Sequence, residues 1–163
     1  MSISLQSGRW RRRATSAIGI ARLLPSYLLF GVMRHLVALP TLARWAWRSP
    51  AKPDRDTARE ERLVAWVVRA RRVFERDQGD CLQSSLLLYR ILSECGAKPM
   101  LVVGFRRVDD RVDGHAWIVV DGAAVAEASR ALASYQPALV FGDAGDQLSP
   151  SRLACQSRVA SVS

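Results

Sequence analysis

The strongest constraint on the fold comes from the residues that follow Cys81. A helix predicted here is apolar on almost every side, because its apolar positions are Leu82, Leu86, Leu87, Leu88, Ile91 and Leu92. Such a helix is normally covered on most sides by the rest of its domain. Gly96 and Pro99 then end the helix. The sequence therefore predicts one domain of ordinary size, built around a central buried helix.

Cys81 stands at the first turn of this helix. Gln78 and Gly79 form a turn before it, and the Asp80 carboxylate is a good acceptor for the unpaired amides of the first turn. The amino end of a helix carries a partial positive charge, which favours the thiolate form of a cysteine. A cysteine nucleophile is expected at such a position. The Cys81 amide is one candidate donor to an oxyanion, and the Gln78 side chain is a second.

A histidine and a carboxylate follow in a strand–turn–strand pattern. The chain has 2 histidines, His35 and His115, and His115 opens an apolar run that reaches the turn signal Asp121-Gly122. The returning strand ends in Glu127. A cysteine–histidine pair needs a third group to orient the imidazole, and a carboxylate serves that purpose.

The pairing of this hairpin decides whether the carboxylate reaches the histidine. A two-residue turn pairs His115 with Ala128 and places Glu127 on the opposite face of the sheet. A three-residue turn with a bulge pairs Trp117 with Glu127, so that His115 and Glu127 share a face. If Cys81, His115 and Glu127 act together, we expect the second pairing.

The positive charge is concentrated at the N-terminal end of the chain. Residues 1–50 contain 8 arginines and no Asp or Glu, and the formal net charge of the whole chain is +9. Residues 14–34 and 35–47 are predicted helices, interrupted by Pro25 and Pro40. Their longest uncharged apolar run is shorter than the roughly 20 residues that span a bilayer. Packing against the domain or a partner is the ordinary use of such helices, and contact with an anionic membrane surface is the alternative.

Composition divides the chain into four parts. Residues 1–50 form a basic, apolar, helical N-terminal region, and residues 51–56 form a linker rich in proline and charge. Residues 57–142 are the predicted domain. Residues 143–163 are rich in glycine, aspartate, serine and glutamine, and we expect this tail to be disordered.

The domain begins with a helix for which Thr57 and Glu60 predict a capping box. Its arginines alternate with glutamates, so we expect a solvated face and no nucleic-acid partner. After the central helix we expect a buried strand at residues 100–105 and a charged loop at residues 106–114. Residues 129–142 predict a further helical turn and an edge strand.

The cysteines favour a reducing compartment. Cys81 and Cys95 lie at opposite ends of the predicted helix, about 21 Å apart at a rise of ~1.5 Å per residue, which is too far for a disulfide. With Cys155 the count is odd and no paired spacing exists, so a cytoplasmic location is expected, with peripheral membrane contact as the alternative. No cofactor or metal is expected, because the sequence contains no zinc-ligand spacing.

The order of these elements resembles the transglutaminase-like branch of the papain-type cysteine enzymes. The local motifs are similar to those of the leader peptidases of lasso-peptide biosynthesis, the B-type proteins with a microcin-processing domain. The matching segments are Cys81-Leu82 with Ser85-Leu86, Gly104 in a strand, and His115-Ala116-Trp117 followed by Asp121-Gly122. The resemblance covers roughly residues 57–128. It implies an α+β fold in which the cysteine helix packs on a small antiparallel sheet and follows N-terminal helices.

What the resemblance implies is a cysteine peptidase that removes the leader from a ribosomally made lasso-peptide precursor. It implies Cys81 as the nucleophile, His115 as the general base, and an acidic third member about a dozen positions later. Glu127 stands there, where the family usually has aspartate, and Asp121 at the turn is the rival. Ser84 occupies a position where the family often has a basic residue.

The resemblance also implies partners. Some members carry a leader-recognition domain with a three-stranded sheet, whereas residues 1–56 show no strand pattern. We therefore expect the split form, which works with a separate leader-recognition protein and with the macrolactam synthetase, the cyclase that closes the ring. The alternatives are another acyltransferase of this fold, which uses an amine acceptor, and a non-catalytic basic binding protein with an unreactive Cys81.

Overall fold

The computed structural model describes residues 23–50, 54–74 and 81–153. Asp80, Gln78 and Cys155 lie outside these residues, as does the predicted helical segment 14–22. The helices are α1 over residues 23–33, α2 Leu39–Ala46, α3 Thr57–Phe74, α4 Cys81–Glu94, α5 Ser129–Leu132 and α6 over residues 151–153, the last described residues. The strands are β1 Met100–Val108, β2 Arg111–Val120, β3 Ala123–Val125, β4 Gln136–Phe141 and β5 Gln147–Leu148.

The strands form a single antiparallel sheet in the order β3-β2-β1-β4-β5. Helices α1 to α4 pack on one face of a small antiparallel sheet, which confirms the predicted α+β class. The expectation of an edge strand within residues 129–142 is wrong, because β4 lies between β1 and β5.

The charged segment between β1 and β2 is not a loop. The two strands continue through it to a turn at Asp109 and Asp110, and Asp109 adopts a φ of 52°. Arg106 and Asp113 are cross-strand partners, and the Arg106 Nε donates to the Asp113 carboxylate at 2.8 Å. Charged side chains are compatible with an exposed two-stranded ribbon when they pair across it. The loop predicted from the high charge of residues 106–114 is therefore wrong, because the segment forms the outer end of the β1–β2 hairpin.

Helix α4 is the buried centre of the molecule, as its sequence predicts. Leu86, Leu88, Tyr89 and Leu92 have at most 2% of their surface exposed. They belong to one cluster with Leu101, Ile118 and Phe141 of the sheet and with Phe30, Leu42 and Val67 of the first three helices. The Tyr89 hydroxyl donates to the carbonyl of Gly142, at the end of β4. One core therefore joins the N-terminal helices, α4 and the sheet.

The N-terminal helices are part of this core. Leu42, Ala43 and Ala46 of α2 are buried in it, so packing continues across the predicted boundary after residue 50. The cap of α3 is also one residue earlier than the predicted capping box of Thr57 and Glu60. The Asp56 carboxylate accepts the Arg59 amide at 2.9 Å, which makes Asp56 the cap of α3.

The described part of the predicted tail is ordered. Residues Asp143–Gly145 form a 3-10 turn, and β5 pairs with β4 through Val140↔Leu148. Leu148 and Leu153 pack on the second apolar cluster, which includes Trp117 and Val140. The expected disorder is therefore wrong for residues 143–153, because two leucines in a polar segment cover one face of the sheet.

Candidate active site

The first turn of α4 lies against β2. The Ser85 hydroxyl, one turn after Cys81, donates to the carbonyl of Ala116 at 2.9 Å. The Cys81 sulfur accepts from the backbone amides of Ala116 and Leu82. Both polar backbone groups of Ala116 therefore bind α4, and they fix the thiol beside the strand that carries His115.

His115 lies between the thiol and a carboxylate. Its Nε2 is 2.6 Å from Oε2 of Glu127, and its imidazole is also hydrogen-bonded to Cys81. Because Nε2 binds the carboxylate, Nδ1 is the ring nitrogen left for the sulfur. The His115 and Glu127 side chains are 20% and 13% exposed, so solvent screens this contact only weakly. The structure thus brings Cys81, His115 and Glu127 together in a hydrogen-bonded series.

The hairpin achieves this contact by a route that the sequence argument excluded. Ile118 pairs with Val125 and Val120 with Ala123, which is the pairing of the two-residue turn and not the expected bulged one. The ladder stops at Val125, and Ala126 adopts a φ of 65°. This left-handed conformation, uncommon for a residue other than glycine, turns the chain out of the strand. Glu127 therefore lies outside the strand, and the alternation of side chains between the two sheet faces does not apply to it. Its carboxylate reaches His115.

Arg71 is a further member of the site that sequence reasoning missed. Its Nη1 lies 3.1 Å from Oε1 of Glu127, and its side chain is only 18% exposed. It holds one carboxylate oxygen while His115 binds the other. Its position on α3 could have indicated this role from the sequence. Arg71 follows Val67 by four residues and Val64 by seven, so it shares their helix face; Val67 belongs to the core and Val64 packs against it. An arginine on the buried face of a helix usually has a partner.

The electrostatics favour a charged cysteine–histidine pair. Burial raises the pKa of the Cys81 thiol, but the hydrogen bond from His115 and the amides of Ala116 and Leu82 outweigh it, so the pKa lies below its ordinary value. The pKa of His115 is raised to about 9, mainly by its hydrogen bond to Cys81 and next by its hydrogen bond to Glu127, although burial opposes both effects. Near neutral pH these shifts favour a thiolate beside an imidazolium.

The carboxylate is held in its charged form. Burial raises the pKa of Glu127, but the hydrogen bonds and positive charges of His115 and Arg71 outweigh this effect and leave the pKa below its ordinary value. A charged carboxylate on the far side of the imidazole stabilises the imidazolium and fixes the orientation of the ring.

Rings pack around the imidazole from β2 and from the segment before β4. The centroid of the His115 ring is 5.2 Å from that of Tyr135 and 6.1 Å from that of Trp117. The Tyr135 hydroxyl donates to Asp113 at 2.8 Å, and Arg106 lies over the Tyr135 ring at 4.5 Å. Tyr135 is therefore itself held in place beside the histidine.

Gly104 is required by the close approach of the Trp117 ring. A Cβ at Gly104 would lie 2.8 Å from Cη2 of Trp117 and 2.8 Å from the carbonyl oxygen of Gln136. Gly104 is also the cross-strand partner of His115. The glycine therefore gives space to the ring that packs beside the histidine.

Other residues singled out from the sequence lie away from this series. The Asp121 side chain is 70% exposed and pairs with Arg55, so the rival carboxylate does not reach the imidazole. Ser84 is fully buried. Cys95, a free thiol at the other end of α4, is buried, and burial raises its pKa. Of the two described cysteines, only Cys81 has its thiolate stabilised.

A thiolate at the start of a helix, an imidazole and a carboxylate in series form the arrangement that acyl transfer through cysteine requires. The family model of the transglutaminase-like superfamily matches residues 20–140, more than half of the chain, and the chain belongs to this superfamily. The superfamily includes cysteine proteases and acyltransferases. No curated protein and no solved structure matches the chain significantly.

Proposed function

We propose that this protein is a cysteine peptidase that removes the leader from a ribosomally made lasso-peptide precursor before the macrolactam is closed. The observation that carries the proposal is the position of His115, hydrogen-bonded to Cys81 on one side and to Glu127 on the other. The similarity of the Cys81 and His115 motifs to those of lasso leader peptidases supports the choice of substrate. The superfamily match is consistent with it.

In the proposed mechanism the Cys81 thiolate attacks the carbonyl carbon of the scissile peptide bond. The negative charge that develops on the carbonyl oxygen is stabilised by backbone amides, for which the Cys81 amide at the helix start is the candidate donor. The His115 imidazolium then gives its proton to the leaving nitrogen, the C–N bond breaks, and the core peptide leaves with a new amino terminus. The leader remains bound to sulfur as a thioester.

Hydrolysis completes the cycle. His115, now neutral, removes a proton from water, and the oxygen attacks the thioester carbonyl. The C–S bond breaks and the leader leaves as a carboxylic acid, which loses its remaining proton to solvent. The proton on His115 restores the ion pair with the thiolate. Glu127 keeps its charge throughout and stabilises the imidazolium in both halves of the reaction. Arg71 acts as a positioning residue for that carboxylate.

The proposed partners follow from this role. A separate leader-recognition protein delivers the precursor, and a macrolactam synthetase uses the amino terminus that cleavage exposes.

The test is incubation with a leader-bearing precursor and its recognition protein, followed by mass spectrometry. We expect the leader to be lost with the wild-type protein and retained with Cys81→Ala. Cys95→Ala is the matched control, since it removes the other described thiol, which is buried at the opposite end of the same helix. Precursor that stays intact in every reaction, together with a Cys81 that resists a thiol-alkylating reagent, would favour a non-catalytic binding protein.

An acyltransferase is the second candidate, because the superfamily includes such enzymes. Both activities use the same thioester, and they differ in the acceptor that resolves it. Repeating the reaction with an added primary amine separates them. A peptidase releases a leader that ends in a free carboxylate, whereas an acyltransferase releases a leader amide, with a different mass.

A further inference from the structure

The solvent-facing side of α1 is entirely apolar. Residues 23–33 contain no charged side chain, although the helix lies on the surface of the domain. Leu24, Leu28 and Val32 follow one another at four-residue intervals and are 38%, 57% and 59% exposed. Four-residue spacing places side chains on one face of a helix. Surface helices of globular domains normally carry charged residues on that face.

This face is held rigidly by the opposite side of the helix. Phe30 is buried in the core, and the Gln83 side chain donates to the carbonyl of Tyr27 at 2.6 Å. Gly31 allows this approach, because a Cβ there would lie 2.7 Å from the Gln83 amide nitrogen. The exposed leucines therefore cannot turn inward without breaking the core.

Within residues 23–50, the described part of the N-terminal region, every charged side chain is an arginine: Arg34, Arg44 and Arg48. Residues 1–50 contain 8 arginines and no acidic residue. Arg44 and Arg48 are exposed at and after α2, and Trp45 between them is 51% exposed. Leucine and tryptophan together with arginine, without acidic residues, are typical of protein surfaces that insert into the interface of anionic membranes.

We propose that the exposed face of α1, together with the arginines and Trp45 of α2, binds the surface of an anionic lipid bilayer. The contact is peripheral, since no helix in the described ranges is both long and apolar enough to cross a membrane. Because residues 23–50 carry three arginines and no acidic residue, charge complementarity favours anionic lipid over a second copy of this chain, in which the same segment would repel it. Because Gln83 joins α1 to the first turns of α4, binding would hold the candidate active site close to the membrane.

The test measures binding of the full-length protein to sedimented vesicles and uses no activity assay, so it is independent of the proposed peptidase function. The vesicles are phosphatidylcholine alone or phosphatidylcholine with about 30% phosphatidylglycerol. We expect binding to the anionic vesicles, weak binding to the neutral ones, and a decrease in affinity as salt is added.

Matched pairs of variants test the apolar face. Leu28→Asn with Val32→Asn should weaken binding by at least about ten-fold, because each side chain loses its favourable transfer from water. Val108→Asn with Val112→Asn is the control, since these valines are 44% and 74% exposed on the β1–β2 hairpin. Circular dichroism establishes that both double variants are folded.

A second pair tests the charge. Arg44→Gln with Arg48→Gln should weaken binding by roughly five-fold for each arginine, and the exposed pair Arg107→Gln with Arg111→Gln should have little effect. The proposal is overturned by equal binding to neutral and anionic vesicles, or by α1 variants that bind like the wild type. It is also overturned if the protein ignores vesicles and forms a dimer that Leu28→Asn with Val32→Asn dissociates.

Discussion

Replacing Glu127 by glutamine tests the electrostatic basis of the candidate site. Glutamine keeps the size of the side chain and can still bond with His115, but it removes the negative charge 2.6 Å from the ring. A hydrogen bond to a charged group contributes about 1.5–3 kcal/mol, and a neutral one about 0.5–1.5 kcal/mol. The difference, about 1–1.5 kcal/mol, corresponds to about one pH unit, because one pKa unit equals 1.36 kcal/mol.

The pKa of His115, raised to about 9 in the wild type, should therefore fall to about 8 in Glu127→Gln. Nitrogen-15 NMR of the imidazole rings as a function of pH measures it directly. The chain contains only 2 histidines, so His35 gives the one other signal. Asp121→Asn is the matched control, because it removes the rival carboxylate, whose side chain is 70% exposed and pairs with Arg55. A midpoint unchanged in Glu127→Gln, or lowered equally by Asp121→Asn, would refute the reasoning.

The same substitution should change how stability depends on pH. The folded-state pKa of His115, about 9, lies above its ordinary value of 6.5, so its ion pair stabilises the fold fully below pH 6.5 and is lost as the pH rises through 9. Glu127, whose pKa is lowered, stays charged across this range. Glu127→Gln should therefore be destabilised most near pH 6 and least near pH 10. Urea denaturation at the two pH values measures the difference.

Three further substitutions test the supports of the site. Arg71→Met should raise the pKa of Glu127, so that peptidase activity falls several-fold more at pH 5 than at pH 7 in a pH–rate profile. Gly104→Ala should destabilise the fold by about 1–3 kcal/mol in thermal denaturation, because the added methyl group overlaps an indole ring and a carbonyl. The control Gly114→Ala, whose nearest new contact is 3.2 Å away, should have a smaller effect. Ser85→Ala should cost about 1–3 kcal/mol, because it leaves a buried carbonyl without its donor, and it should slow alkylation of Cys81.

Periodicity and spacing were sufficient to predict the central helix and the hairpin. The apolar positions after Cys81 allow no exposed face, so only a buried helix fits them. Asp121 and Gly122 both have positive φ, 51° and 78°, as the Asp-Gly turn signal requires. The order of cysteine, histidine and carboxylate along the chain then limited the candidate site to a few residues.

The details that depend on a single backbone conformation were not predictable. Alanine has no preference for a left-handed conformation, so nothing in the sequence indicates that Ala126 ends β3 and redirects Glu127. The role of Arg71 was not predictable either, because it depends on how α3 packs relative to β3 in the tertiary structure. The outer hairpin around Asp113 and the strand at Leu148 were predicted as loop and tail because both segments are polar. Polar composition indicates solvent exposure, and it does not exclude strand pairing.

The early end of β3 has a consequence for how this protein tolerates insertions and deletions. If the β2–β3 ladder continued in its present pairing, the next partners after Ile118 and Val125 would include Ala116 opposite Glu127. A strand at that place would occupy the edge of β2 where the start of α4 now lies, and the thiol would lose its amide donor. Lengthening the β2–β3 hairpin in this register would therefore close the gap in which the three side chains meet. The contact between Cys81, His115 and Glu127 thus depends on β3 being only three residues long.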